Sequence, residues 1–517
     1  MQARQPQDIL VAVDTTAFAR WILWLTERLA REPRSRVFVR LVEPTGATST
    51  ALPTLLSLEK MLVGKRQPGG ADRLGRDALD AKYAEPAGFR PDIVIDLTAE
   101  GIDVQAVRLR PLYDRQPGEI ALASALFFRG TPDIAIEKIE PGQAVGTVVA
   151  SGTASLEAAA GVGGGIEAVA SRVITLLLKT LSGPSDVPVV AQSTAIRQIQ
   201  NRDVAVRTAK DVARAAVRAA YRLCCHGSHW RVGWRFAEPG GDVWSRRDLA
   251  GARWNVLPDP VDHFYADPFP LHWQGRDYLF FEDLDHKTEK GVIAVVAFDE
   301  AGRPGPAMPV IEEPWHLSYP FLIERDGDIF MIPESSANRD ISLYRAVDFP
   351  LKWQRTATLV DGIEAADATI VEQDGLLYMF AVVRDGVGGY SDTLAIWWAE
   401  DLFGPWQRHE GNPVLVDDRT ARPAGNFVRL DGALHRPVQD CRRAYGAALG
   451  LMKVTRLDRE GFTQKSEGLI QAGGAWPGKR IHTLNYNGRL EAIDGFTLRP
   501  RLKPAADLVD WWYGPKG

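Results

Sequence analysis

The first 200 residues of this 517-residue chain contain neither histidine nor asparagine. That absence removes imidazole and the asparagine carboxamide, two groups that commonly shuttle protons or steady an oxyanion near neutral pH. Cysteine is scarce as well. There are three, two of them adjacent at Cys224 and Cys225, which gives neither a disulfide framework nor a zinc-ligand spacing. A net charge of −5 and a pI near 6.1 leave no basic footprint for nucleic acid, and no nucleic-acid partner is expected. The opening MQARQPQDILVAVD runs into a strand-like segment with no apolar signal-peptide core. No apolar run is read as approaching a membrane span. The expected location is therefore cytoplasmic, and the missing export signal favours biosynthesis over digestion of external polysaccharide.

What the chain does have is repetition. Five times in the C-terminal half an apolar run leads through a Gly-centred turn into a second apolar run. The copies are ADPFPLHWQGRDYLFFED, SYPFLIERDGDIFMIPES, ADATIVEQDGLLYMFAVV, AGNFVRLDGALHRPVQD and the weaker RIHTLNYNGRLEAIDG, with turn glycines Gly275, Gly327, Gly375, Gly432 and Gly488. A hairpin recurring about every 50 residues predicts the blades of a five-bladed β-propeller. Residues 231–517 are assigned to it, with RVGWRFAEPGGDVW closing the ring against the fifth blade. Most of the fifteen tryptophans fall in this half, as blade packing or as a sugar-stacking platform.

Residues 1–200 read as an α/β domain with a mostly parallel sheet. DILVAVD, SRVFVRLVE, PDIVIDL and DIAIEKIE are strand-like, while TTAFARWILWLTERLARE and IEAVASRVITLLLKTL are helix-like. GTASLEAAAGVGGG matches no phosphate-binding pattern in full and reads as a loop before a helix. Residues 201–230 form a linker. Within it Arg207, Lys210, Arg214, Arg218 and Arg222 share one stripe at helical spacing, opposite Val206, Ala213, Val217 and Ala220. This helix, residues 203–223, reads as a solvated connector or as a basic amphipathic helix lying on the inner face of an anionic membrane.

Positions that differ between equivalent blades point to the chemistry. Eight residues before the turn glycines stand Asp267, Tyr319, Asp367, Ala424 and Arg480; seven after stand Glu282, Glu334, Val382, Gln439 and Gly495. A shared scaffold does not require carboxylates there, and inner strands converge on one channel. Asp267, Glu334 and Asp367 are the candidate catalytic carboxylates for glycosidic chemistry, which needs one protonated acid and one carboxylate. Read blandly, they are strand-entry caps and surface ion-pair partners. Glu282, His316, Tyr319, His435, Arg436, Gln439 and His482 are candidate substrate-binding groups. His435 and Arg436 stand where blade 3 has Tyr378 and Met379, and an arginine suits an anionic sugar or phosphate. A metal held by His316 and His482 is the lesser reading; neither metal nor cofactor is expected.

The strings ADPF, YLFFED, EEPWHLSYPF, MIPES, LYRAVDFPLKW, LFGPWQRHEGNP and LHRPVQDC resemble the N-terminal propeller of plant glucosamine inositolphosphorylceramide transferases. The pattern also looks like a distant cousin of the five-bladed glycoside hydrolases of family 43. The plant family carries glycosyl transfer on a separate C-terminal domain, so that activity is not expected of this chain. By resemblance to family 43, Asp267 would be the base, Asp367 the group that tunes the pair, and Glu334 the acid. Residues 8–180 resemble a formyltransferase-type domain through DILVAVD, PDIVIDL and ALFFRGTPDIAIEKIEPGQAVG. That chemistry uses an Asn, a His and an Asp, and Glu140-Pro141-Gly142 replaces the usual Asp-x-Gly, so the domain is expected to be inactive. The expected function is cleavage or transfer of a glycosidic bond on a surface glycan or glycolipid. The alternative is non-catalytic recognition of such a ligand in polysaccharide assembly.

Overall fold

The computed structural model describes residues 7–33, 35–44, 51–63, 69–183, 193–238, 240–442, 444–473, 476 and 479–513. The chain divides into two compact units, Met1–Ala215 with Asp385–Gly389, and Ala216–Arg384 with Tyr390–Gly517.

The first unit is α/β. Its strands are β1 (Gln7–Asp14), β2 (Ser35–Val42), β3 (Ile93–Asp96), β4 (Val107–Tyr113), β5 (Gln116–Pro117), β6 (Asp133–Ile139) and β7 (Thr147–Thr153). They run in the order β2-β1-β3-β4-β6-β7, with β5 paired to β4. The β2, β1, β3 and β4 strands are parallel, whereas β5 and β6 each pair antiparallel with β4 and β7 pairs antiparallel with β6, so the sheet is mixed rather than uniformly parallel. Ile9 to Val13 are all buried, as expected of a strand covered on both faces. Helix α1 (Arg20–Ala30) buries Trp21, Ile22, Leu25 and Leu29, the apolar stripe expected of its periodicity. Helices α2 (Ala51–Val63), α3 (Gly118–Phe128) and α4 (Gly161–Ser182) complete the unit.

Two expectations change here. Helix α4 is long and apolar enough to cross a membrane by composition, so the reading that no run reaches that length does not hold. It is mostly buried, with Val162, Ile166, Val169, Val173 and Leu177 in the core. The glycine-rich run, expected as a loop before a helix, instead supplies the first turn of α4, with Gly161, Gly163, Gly164 and Gly165 inside the helix. The first free amides of α4, Val162 and Gly163, each donate to the Glu59 carboxylate at 2.9 Å, which places a negative charge on the positive end of the helix. Glu140, Pro141 and Gly142 lie on an exposed turn between β6 and β7.

Helix α5 (Asn201–Cys224) crosses the boundary at residue 215, and the second unit is the propeller. Blade 1 contains His263–Trp273, Arg276–Asp285, Lys290–Ala297 and Met308–Ile311. Blades 2, 3 and 4 begin at Ser318, Ala365 and Val428 and repeat the antiparallel order. Blade 5 joins Leu484–Tyr486 and Leu490–Phe496 to Trp230–Phe236 and Asn255–Val256, so the start of the unit supplies the last blade's outer strands. That closure pairs strands about 250 residues apart in sequence and removes the exposed edges an open array would leave.

Four of the five hairpins turn through two residues, both at positive φ. These are Gln274-Gly275, Asp326-Gly327, Asp374-Gly375 and Asp431-Gly432, the tight turn whose twist matches a hairpin and which glycine accepts without strain. Apolar clusters fill the spaces between blades. One joins Phe269, Tyr319, Phe321 and Phe330 to Met379 and Trp397, and another joins Phe380, Leu394, Ile396, Leu434 and Phe462. Each fully buried large side chain contributes about 1.5–3 kcal/mol.

Candidate active site in the propeller channel

Asp267, Tyr319 and Asp367 occupy one station in blades 1, 2 and 3, and the backbone treats them alike. Each lies in a break of register between the first two strands, at Ala266/Phe269, Ser318/Phe321 and Ala366/Thr369. Each also has positive φ, 50°, 44° and 57°. A bulge of this kind re-aims a side chain, and a non-glycine residue held there costs about 1–3 kcal/mol, so the surrounding packing must enforce it.

All five blades contribute to what surrounds these residues. The Asp267 carboxylate accepts from Thr483 Oγ1 at 2.7 Å and lies 3.2 Å from His482 Nε2. Asp494 backs this pair. It lies 2.9 Å from His482 Nδ1 and accepts from the backbone amides of His482, Thr483 and Asp267 at 3.0–3.1 Å. Burial opposes charge on His482, but Asp494 and Asp267 outweigh it and raise the imidazole to about 10. Burial likewise opposes charge on Asp267, yet His482, Thr483 and Arg422 hold it below the ordinary carboxylate range. At neutral pH His482 is an imidazolium beside the Asp267 carboxylate.

The other side behaves differently. Arg422 Nε donates to Asp367 Oδ2 at 2.6 Å, and Gln439 Nε2 donates to the same oxygen at 3.1 Å. Burial still prevails, and with repulsion from Glu334 and Asp267 it lifts Asp367 to about 8. Glu334 is raised by burial, with Arg422 and Ser336 pulling the other way. The two carboxyls act on each other, since the Glu334 charge raises Asp367 while hydrogen bonding from Asp367 lowers Glu334. Glu282, buried and facing Asp267, is pushed well above the ordinary glutamate range. His316 Nδ1 accepts from the Gly291 amide at 2.9 Å, which leaves the hydrogen on Nε2, 3.4 Å from Glu282. Burial keeps this imidazole neutral.

Among the predicted site residues the channel gathers Asp267, Glu282, His316, Glu334, Asp367, Gln439 and His482. The Tyr319 ring packs edge-on against Phe269, with its hydroxyl 2.9 Å from Thr369 Oγ1. His435 faces elsewhere, between the Ala433 carbonyl and Glu467 at 3.2 Å. Arg436 lies across Phe380 and donates to the Ala421 carbonyl at 2.7 Å; burial lowers it to about 9.

Sequence reasoning missed Arg422, Tyr445, Thr483, Asp494 and Trp230. Arg422 stacks over the Tyr445 ring at 4.7 Å, and Trp230 meets His482 at 4.1 Å and Tyr445 at 5.8 Å, which makes an aromatic wall. Asp494 was one residue from the counted position. The fifth hairpin has four residues between its innermost pair, Tyr486 and Glu491, against two between Trp273 and Arg276, so positions counted from its glycine do not match those of the other blades, and Asp494 is not the equivalent of Glu282. The counted residue, Gly495, has no room for a side chain because a Cβ there would stand 1.7 Å from the Trp476 indole nitrogen. Asp267, His482 and Asp494 offer ligand atoms within 4.8 Å of one another, the spacing of a cation site. The imidazolium of His482 already supplies positive charge between the two carboxylates.

Residues 258–492 match the family model described as glucosamine inositolphosphorylceramide transferase 1, N-terminal. The rice protein of that name (Oryza sativa subsp. japonica) is 34% identical over 234 residues, covering 43% of this chain and 31% of the relative. The Arabidopsis thaliana protein is 34% identical over 230 residues, covering 43% and 30%. The chain thus spans about a third of the length of these relatives. Similar solved structures include Zg3597, a family 117 glycoside hydrolase of Zobellia galactanivorans, at 10% identity, 52% of this chain, 90% of that chain and TM-score 0.35. CoXyl43, a family 43 β-xylosidase/α-arabinofuranosidase from a compost metagenome, is similar at 14% identity, 48% and 95% coverage and TM-score 0.34.

Proposed function

We propose that the propeller is carbohydrate-active and cleaves or transfers a glycosidic bond of a glycan or glycolipid bound in its channel. The observation that carries this reading is the unequal charging of equivalent carboxylates, Asp267 ionised beside an imidazolium and Asp367 protonated beside Glu334. Glycosidic chemistry needs that inequality, since one group must protonate the departing oxygen while another assists attack on the anomeric carbon. In this reading the Asp367–Glu334 pair carries the acid proton, and Asp267 acts as base toward water or an acceptor hydroxyl. Trp230 and Tyr445 form the wall against which a sugar face rests, and Arg422 serves an anionic substituent. The named relatives act on inositolphosphorylceramide, which makes a sugar linked to an inositol phospholipid the first ligand to try.

The test is product release from a panel of aryl glycosides and glycosylated inositolphosphorylceramides, with binding measured in parallel by calorimetry. Turnover that Asp267→Asn abolishes while binding persists supports the enzyme. Binding without turnover in the unaltered protein overturns catalysis and leaves a recognition module.

A further inference from the structure

We propose that the end of α5, residues 216–224, and the C-terminal helix α6 (Lys503–Tyr513), both in the second unit, form one docking surface for an anionic lipid bilayer. Of the 24 residues of α5, Val204 alone is buried among those described, and Val206, Val212 and Val217 are exposed. A helix of this length with an uncovered apolar side is not stabilised by packing, so its apolar face is available to another phase. Its charge is one-sided too. The charged residues of 216–224 are Arg218 and Arg222, both basic, and Arg501 and Lys503 follow on the segment entering α6, in a chain whose total is −5.

The second part of the surface comes from α6. The chain entering α6 is tied to the end of α5. The Arg501 amide donates to the Cys224 carbonyl at 2.9 Å, and Arg501 Nε donates to the carbonyls of Arg222 at 3.1 Å and Cys225 at 3.2 Å. This seam brings together Leu223, 81% exposed, and Leu502, 73% exposed. Asp510 pairs with Arg231 at 2.7 Å and Arg499 at 2.9 Å, and Ala506 is buried, which fixes the inner side of α6. Leu508 and Trp511, one turn apart on α6, are then 63% and 65% exposed. Leucine and tryptophan beside arginine and lysine are the combination an interfacial helix uses, with apolar side chains entering the headgroup boundary and basic ones meeting anionic lipid. A second copy of the chain fits less well, because a pair of α5 helices would bring two arginine stripes together with Asp211 as the main acidic complement.

The full chain should co-sediment with phosphatidylcholine vesicles that contain phosphatidylglycerol and not with phosphatidylcholine alone, and raised salt should release it. The double variant Arg218→Glu/Arg222→Glu should lose at least tenfold in vesicle affinity with an unchanged melting temperature. The variant Leu223→Ser/Leu502→Ser/Trp511→Ser should do the same. Equal binding to neutral and anionic vesicles, or no binding to either, overturns the proposal. So does a concentration-dependent dimer in sedimentation velocity that the apolar variant abolishes, since the surface would then belong to a second copy. None of these readouts depends on glycosidic activity.

Discussion

Asp267 and Asp367 have the same side chain, the same station in their blades and nearly the same strained backbone, with φ of 50° and 57°. Their charge states are nonetheless opposite. Asp267 faces blade 5, where His482 and Thr483 favour the carboxylate; Asp367 faces Glu334, and a single arginine does not offset burial and repulsion. The difference teaches that the blade repeat sets where a carboxyl stands, while the neighbouring blade sets whether it carries a proton.

The strongest way to break the comparison is to remove the cation of the blade 5 side. His482→Ala leaves Asp267 and Asp494 facing each other, both buried, and should destabilise by about 3–5 kcal/mol in chemical denaturation. A cost near that of an ordinary surface substitution would mean that His482 is not the bridging imidazolium.

Next is the pH dependence of stability. Asp367 is raised from 3.8 to about 8 in the folded protein, so its contribution is fully present below its unfolded value and is lost as pH rises through about 8. His482 is raised from 6.5 to about 10, so its contribution is lost in a later window, as pH rises through about 10. Asp367→Asn should therefore flatten the decline between about pH 4 and pH 8, a change on the order of 2–4 kcal/mol at about 1.4 kcal/mol per pKa unit, discounted for relaxation of the site. The later decline should remain. Denaturation midpoints from about pH 4 to about pH 10 separate the two groups, and an unchanged slope in the variant would place the proton elsewhere.

If the channel is catalytic, kcat/KM should fall as pH rises through about 8, where Asp367 ionises. Glu334→Gln removes the partner charge and should move that limb to lower pH by about one unit. A limb that stays in place would separate Glu334 from the acid.

The smallest effect belongs to the other end of the hairpins, where all blades agree. Gly432→Ala meets no atom within 4 Å but keeps φ at 77°, so thermal melting should show a loss of about 1 kcal/mol and no change in ligand binding.

Much of the scaffold was legible in the chain. A five-bladed propeller follows from the recurring Gly turns, and its closure by residues 230–236 follows from a fifth hairpin that lacks outer strands. The α/β character of the first unit follows from DILVAVD, SRVFVRLVE and the helical runs between strand-like segments. The chain did not announce that two strands of the first sheet run antiparallel, because periodicity carries no direction. Nor did it show that α4, long enough for a membrane, would be taken into a core.

The candidate site divides along the same line. The sequence by itself determined the stations of Asp267, Glu282, Glu334, Asp367 and Gln439, because a repeat with fixed turns makes position countable. Only the tertiary structure decided that Arg422, Tyr445, Asp494 and Trp230 would join them and that His435 would turn away. It also decided which carboxyl keeps its proton, since desolvation and charge act through space between blades and leave no spacing in the chain.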